Sequence, residues 1–295
     1  MVKKVEIHIT EKCMYDCEFC SVNKRKRIEP TLEEIKRDID LTLKENFSRI
    51  TLTGGEPLLR EDLIEIIRYA KKFYKGILIE THGYKLTEEK LKEMIDAGVT
   101  EIKLSLHSHL PEIYEKITRR KGSFLDSYNA LRILSNFCNQ IEVSTNTVIT
   151  KSNYNTVAQT INWINKEAPD LKKIRASYVR FYPIKDAKDY SKDYVVSLPE
   201  VKNQLESIKK MKIKKVFFEN VPLCIADLET PKEFTWELYL SINGKITQGF
   251  DTRYYPKKCN SCKKKENCQG LHKYYSLYFD ENFVKPFNQR TGPNI

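Results

Sequence analysis

The chain has 295 residues, 40% of them apolar, and a formal net charge of +11. No run approaches the roughly 20 apolar residues that a membrane span needs, and the N-terminus MVKKVEIHIT lacks the apolar stretch and small-residue cleavage site of a signal peptide, so the chain reads as cytoplasmic with no membrane partner. The basic excess is spread over mixed stretches such as EEIKRDIDLTLKEN and ESIKKMKIKK, the pattern of solvated helix faces rather than of a nucleic-acid surface.

In chain order, β-branched apolar runs are expected to form strands at 5–10, 50–53, 77–81, 102–106, 141–149 and 174–183. Between and after them, helical periodicities fall at 32–45, 61–73, 87–97, 124–137, 154–165 and 199–210. Six strand-then-helix units imply a parallel sheet with right-handed crossovers. The expected fold is α/β, a partial (β/α)6 barrel over residues 1–210, closed or nearly closed. Chemistry in such a fold sits at the C-terminal ends of the strands. From residue 211 the texture changes to short strands, turns and aromatics, and LYLSINGKITQ reads as a hairpin turning on Asn243-Gly244. Residues 211–295 are expected to form a small cysteine-bearing C-terminal module.

Eight cysteines in a cytoplasmic chain point to metal binding or catalysis rather than to disulfides. Three of them, Cys13, Cys17 and Cys20, stand in TEKCMYDCEFCSV directly after the first strand. Three thiolates leave one metal position unfilled by protein. Structural zinc prefers four ligands in paired knuckles, whereas a four-iron, four-sulfur (4Fe-4S) cluster with one open iron fits three. The segment TLTGGEPLL then places Gly54, Gly55, Glu56 and Pro57 after the second strand, on the same face. An ordinary strand-to-helix turn needs one glycine. Two allow close backbone approach to a ligand, and Glu56 can accept from an ammonium group.

Cys-x3-Cys-x2-Cys after strand one together with Gly-Gly-Glu-Pro after strand two resembles the radical S-adenosylmethionine (radical SAM) family, over about residues 3–184. The resemblance implies that Cys13, Cys17 and Cys20 hold a 4Fe-4S cluster whose fourth iron is chelated by S-adenosylmethionine. It further implies reductive cleavage of that cofactor to a 5'-deoxyadenosyl radical, which abstracts hydrogen from the substrate, with an electron donor such as ferredoxin or flavodoxin. By position, Phe19 matches the aromatic residue near the adenine, and Gly54, Gly55 and Glu56 match the segment that holds the methionyl amino group. ETHGY resembles the family's Thr-Asn-Gly turn with His82 in place of Asn, and KLSLHS its serine-rich fourth strand, which makes Ser105 a candidate for the methionyl carboxylate. Asn146, in STNTVIT, is a candidate for the ribose. His107 and His109 read as loop polar residues or substrate contacts, His8 as a core residue, and Cys138 as structural.

Near the other end, CNSCKKKENCQGLH supplies Cys259, Cys262 and Cys268, and Cys224 can close a four-thiolate site. A zinc knuckle is the simpler reading. The pattern resembles the auxiliary-cluster modules called SPASM and twitch, but Gly249 and His272 stand where two of their cysteines would be. One auxiliary 4Fe-4S cluster, held by Cys224, Cys259, Cys262 and Cys268, is therefore expected, for two in all, with His272 the alternative to one of these four. Auxiliary-cluster members most often modify a peptide or protein side chain by epimerisation, crosslinking or oxidation, which is the leading expectation here, with a separate leader-peptide-binding protein as a partner. The alternatives are a small-molecule dehydrogenase or cyclase in cofactor or natural-product biosynthesis, and an RNA-modifying enzyme.

Overall fold

The computed structural model describes residues 4–20, 29–45, 47–179, 193–226, 238–242, 245–248, 253–272 and 274–287. Seven strands follow one another in parallel in the order of the chain: β1 Lys4–Thr10, β2 Arg49–Gly54, β3 Gly76–Thr81, β4 Glu101–Ser105, β5 Glu142–Ile149, β6 Lys173–Tyr178 and β7 Val216–Glu219. The helices between them are α1 Leu32–Thr42, α2 Leu63–Lys71, α3 Glu88–Ala97, α4 Pro111–Thr118, α5 Ser123–Ser135, α6 Val157–Glu167 and α7 Leu198–Lys210. A hairpin of β8 Leu238–Ile242 and β9 Lys245–Gln248 adds to the free side of β1, β8 running parallel to it, so the nine-stranded sheet is open. The six expected strands are all present. The expected boundary at residue 210 falls between α7 and β7, and three strands beyond it join the same sheet. The proposed turn residues Asn243 and Gly244, and Gly249, lie outside the described residues.

The helices form where apolar spacing and capping agree. Thr31 caps α1 and Ser197 caps α7, each donating its own N–H to the carboxylate of a glutamate three residues on. Because every crossover between neighbouring strands is of one hand, all these helices cover one face of the sheet. Val5, Ile7, Ile9, Ile50, Leu52, Ile77, Ile79, Ile102 and Leu104, all buried, pack beneath them as the core.

Alternate residues face the other way, and there the strands carry charge. Lys173 pairs with Glu142 at 2.9 Å and Arg175 with Glu219 at 3.4 Å, while Lys103 pairs with Glu80 and Arg49 with Glu101. Lys4 shares this face, and burial, followed by the charges of Arg49, Arg175, Lys103 and Lys173, pushes its pKa down to about 7. His8, expected in the core, lies in phase with Lys4 and Glu6 and 3.4 Å from Glu6, on this polar inner face.

Candidate functional site

The three-cysteine loop leaves the C-terminal end of β1 and is tied down on both sides. Thr10 Oγ1 donates to Glu29 at 2.6 Å and the Glu11 N–H to the same carboxylate at 3.0 Å. Farther on, the N–H groups of Asp16 and Glu18 donate to the carbonyls of Thr118 and Ile117, at the end of α4. The apolar periodicity of PEIYEKIT, with Pro111 at its first turn and Tyr114, Ile117 and Thr118 buried, was the available signal for α4, a helix absent from the sequence reading.

Gly54 and Gly55 lie against this loop. The Gly55 N–H donates to Thr10 O and the Glu56 N–H to Lys12 O, both at 2.8 Å. A Cβ on Gly54, whose φ is +137°, would lie 2.1 Å from Thr10 O, and one on Gly55 would lie 2.0 Å from Lys12 O. The paired glycines are thus required first by the approach of two backbone segments to each other.

Glu56 is fully buried. Its Oε1 accepts from the Leu58 N–H at 3.0 Å and Thr81 Oγ1 at 2.6 Å, and its Oε2 accepts from the His82 N–H at 2.8 Å. Burial pushes its pKa up to about 7 against the pull of these three bonds. The His82 ring occupies the space between Glu56 and the cysteine loop, with Nε2 3.1 Å from Glu56 Oε2 and 3.4 Å from Cys13 Sγ. Burial, then the charge of His107, lowers its pKa to about 3, so the ring is neutral.

The thiols interact with one another. Burial, then the charges of Glu56 and Cys20, raises Cys13 to about 11, and burial, then Cys20 and Cys13, raises Cys17 well above its ordinary value. The Tyr15 N–H donates to Cys13 Sγ at 3.4 Å. Phe19 meets His107 edge-on at 5.1 Å. His107 is buried and accepts from the Val148 N–H at 3.3 Å, and His109 Nδ1 lies 3.0 Å from Thr160 Oγ1, so both histidines tie the loop after β4 to the β5 and α6 region. Ser105 and Asn146 are direct partners across β4 and β5, and Asn146 Oδ1 accepts from Ser177 Oγ at 2.6 Å. Every expected residue of this site therefore lies at or near the C-terminal ends of β1 to β5.

The remaining clustered thiols gather elsewhere. Cys224, in the short helix α8 Leu223–Ala226, lines one pocket with Cys259, Cys262 and Cys268, walled by Pro222, Tyr255, Leu271, Val284 and Phe287. Backbone N–H groups of Leu223 and Gly270 donate to Cys268 Sγ, and that of Phe287 to Cys262 Sγ, each at 3.4 Å. Burial, followed by the charges of their neighbouring thiols, raises Cys224 and Cys259. His272 is buried beside Tyr274 and does not line this pocket. Cys138, buried at the end of α5, donates to Leu134 O at 3.7 Å. All eight cysteines are free of disulfides.

A model of the radical SAM superfamily matches residues 7–164. Among curated proteins, the chain is 35% identical over 124 residues to a probable GTP 3',8-cyclase of Thermococcus kodakarensis, covering 41% of this chain and 40% of that one. It is 29% identical over 238 residues to a probable GTP 3',8-cyclase of Methanocaldococcus jannaschii, covering 77% and 74%. The chain spans about two fifths of the length of the first of these relatives. Among solved structures, Streptococcus suis SuiB bound to its precursor peptide SuiA superposes with a TM-score of 0.67 at 13% identity, over 95% of this chain and 73% of that one, a likeness of fold.

Proposed function

Because the chain belongs to the radical SAM superfamily, we propose that it cleaves S-adenosylmethionine reductively at the C-terminal face of the sheet and acts on a small-molecule substrate on the polar inner face. The observation that carries this reading is the interlocking of the Cys13 to Cys20 loop with Gly54, Gly55 and Glu56. The donor set fits a cluster: three half-buried thiols stand on one loop, Cys13 already accepts a backbone N–H, and burial makes Cys13 and Cys17 costly as free thiolates, which suits them to iron.

Cys13, Cys17 and Cys20 would hold the 4Fe-4S cluster, and Gly54, Gly55 and Glu56 the methionyl amino group. Phe19 would flank the adenine, Ser105 would face the carboxylate and Asn146 the ribose. When bound, the cluster and S-adenosylmethionine supply a 5'-deoxyadenosyl radical able to take hydrogen from an unactivated carbon. Residues 211–295 supply a second set of ligands, Cys224, Cys259, Cys262 and Cys268, for an auxiliary cluster of the SPASM or twitch kind. A low-potential donor such as ferredoxin or flavodoxin would provide the electron.

The leading sequence expectation, a peptide substrate with a separate leader-binding protein, gives way here to its small-molecule alternative. The similar curated proteins carry the name GTP 3',8-cyclase, and the likeness to SuiB is one of fold alone. The ion pairs of the inner face offer charges of both signs, which suits a substrate with both donors and acceptors. The test is anaerobic reconstitution with iron and sulfide, then dithionite and S-adenosylmethionine with and without GTP. Formation of 5'-deoxyadenosine supports the cleavage reading, and stimulation by GTP supports a purine nucleotide substrate. A fully loaded protein that yields no 5'-deoxyadenosine would sink the proposal.

A further inference from the structure

The residue that replaces asparagine in the turn after β3 is placed with unusual care. The His82 ring stacks on Tyr15 with centroids 3.7 Å apart and planes 22° from parallel. Tyr15 belongs to the cysteine loop and is anchored by its hydroxyl to Ser123 O at 3.3 Å and Asp126 at 3.2 Å. The His82 carbonyl accepts from Ser127 Oγ at 2.7 Å, and the Gly83 N–H closes the turn onto Thr81 Oγ1 at 2.9 Å. Gly83 has a φ of +81°, and a Cβ there would lie 2.3 Å from Ala130 Cβ, so the turn is pressed against α5. Backbone, carbonyl and ring face are each held by a different element.

What this fixation presents to the cysteine loop is Nε2. That atom has two polar neighbours, Cys13 Sγ at 3.4 Å and Glu56 Oε2 at 3.1 Å. Once Cys13 gives up its proton to ligate iron, its sulfur can only accept, and Glu56 Oε2 already acts as an acceptor, from the His82 backbone N–H at 2.8 Å. An imidazole nitrogen facing two acceptors satisfies them only by carrying a hydrogen itself. The tautomer is then Nε2–H, and Nδ1, buried with no hydrogen-bond partner among the described residues, is a bare acceptor rather than an orphaned donor.

Resting on the functional reading above, we propose that His82 is a positioning and tuning residue for the cluster: its Nε2–H donates to the Cys13 thiolate and shares that hydrogen with Glu56. The bond withdraws electron density from the sulfur and favours the reduced cluster, and it couples a cluster ligand to the carboxylate assigned to the cofactor's ammonium group. Hydrogen bonds to ligand sulfurs are among the determinants of iron–sulfur potentials, and partners that orient a ligand are as much part of a metal site as the ligand itself.

The test uses the reconstituted full chain and a redox titration followed by electron paramagnetic resonance, the front cluster being recognised by its change when S-adenosylmethionine is added. His82→Phe keeps the stack on Tyr15 and removes the donor, so it should shift the potential to more negative values at unchanged iron content. His82→Gln, which restores an N–H, should move it back toward wild type. Independently, wild type grown with 15N-histidine should show a 15N coupling to the reduced front cluster in pulsed resonance, lost in His82→Gln. An unchanged potential in loaded His82→Phe, or no 15N coupling in wild type, overturns the proposal, and the coupling decides alone if His82→Phe does not load. Failure of wild type itself to bind iron would overturn the functional reading along with it.

Discussion

The two groups of thiols differ in how the chain brings them together. The front three come from eight consecutive residues of a single loop, braced by Glu29, by the end of α4 and by two glycines after β2. The rear four come from two segments, α8 and residues 259–268, that meet across a pocket walled by prolines and aromatics. Beside the front thiols stand a buried glutamate and a neutral histidine, whereas the rear set is completed by a fourth thiol. On the proposed reading, an incomplete ligand set next to polar groups leaves room for a reactant, and a complete one favours electron transfer or support.

The sharpest way to break this contrast is to remove the front set. Changing Cys13, Cys17 and Cys20 together to Ala should abolish 5'-deoxyadenosine formation and lower the iron content from about eight to about four per chain, as measured by iron analysis. Wild type saturating at four irons with stoichiometric zinc would mean that the rear site is a zinc knuckle.

Removing one rear ligand should have a narrower effect. Cys268→Ala should preserve uncoupled cleavage of S-adenosylmethionine and abolish product formation once a substrate is in hand. Added cyanide should shift the rear cluster's resonance signal in this variant and leave wild type unchanged. A shift in wild type would show that the rear set is open as well, and the contrast would fail.

A graded loss is expected at Glu56. Glu56→Gln turns an amide toward the His82 N–H and removes the charge offered to an ammonium group. A charge-assisted hydrogen bond contributes roughly 1.5 to 3 kcal/mol, so affinity for S-adenosylmethionine should fall about ten- to a hundredfold with both clusters assembled. Equilibrium binding measures this, and unchanged affinity would remove Glu56 from the cofactor site.

The smallest effect is expected at the glycine of the rear pocket. Gly270 has a φ of +65°, and a Cβ there would lie 2.8 Å from Tyr254 O, compared with 2.0 Å from Lys12 O at Gly55. Gly270→Ala should lower stability by about 1–2 kcal/mol, read as a lower melting temperature, and leave 5'-deoxyadenosine formation intact. Loss of front-site activity in this variant would show that the two sites are not independent.

Much of the front site was legible in the sequence because its pieces are local. Cysteine spacing, the double glycine and the strands before them are set by neighbours along the chain, and a parallel sheet with its loops at one end follows from the alternation of strand and helix. Cys224, one of only two cysteines outside the two clusters, could be set beside Cys259, Cys262 and Cys268 from the sequence, and the four line one pocket. Helix α4 went unread because its eight residues carry only three buried positions, too short a period to stand out beside α5.

What tertiary structure decided were the pairings between segments far apart in the chain. Composition shows that residues 211–295 differ in texture, but only strand pairing places β8 beside β1 and β7 beside β6, because sheet neighbours are chosen by hydrogen bonding at the edges. The sequence shows a histidine where a related turn has asparagine. It cannot show that the ring meets Cys13, 69 residues away, and Glu56. That contact depends on the height of two strand ends and on the packing of Tyr15 and Ser127, which no local pattern encodes because each partner sits on a different element.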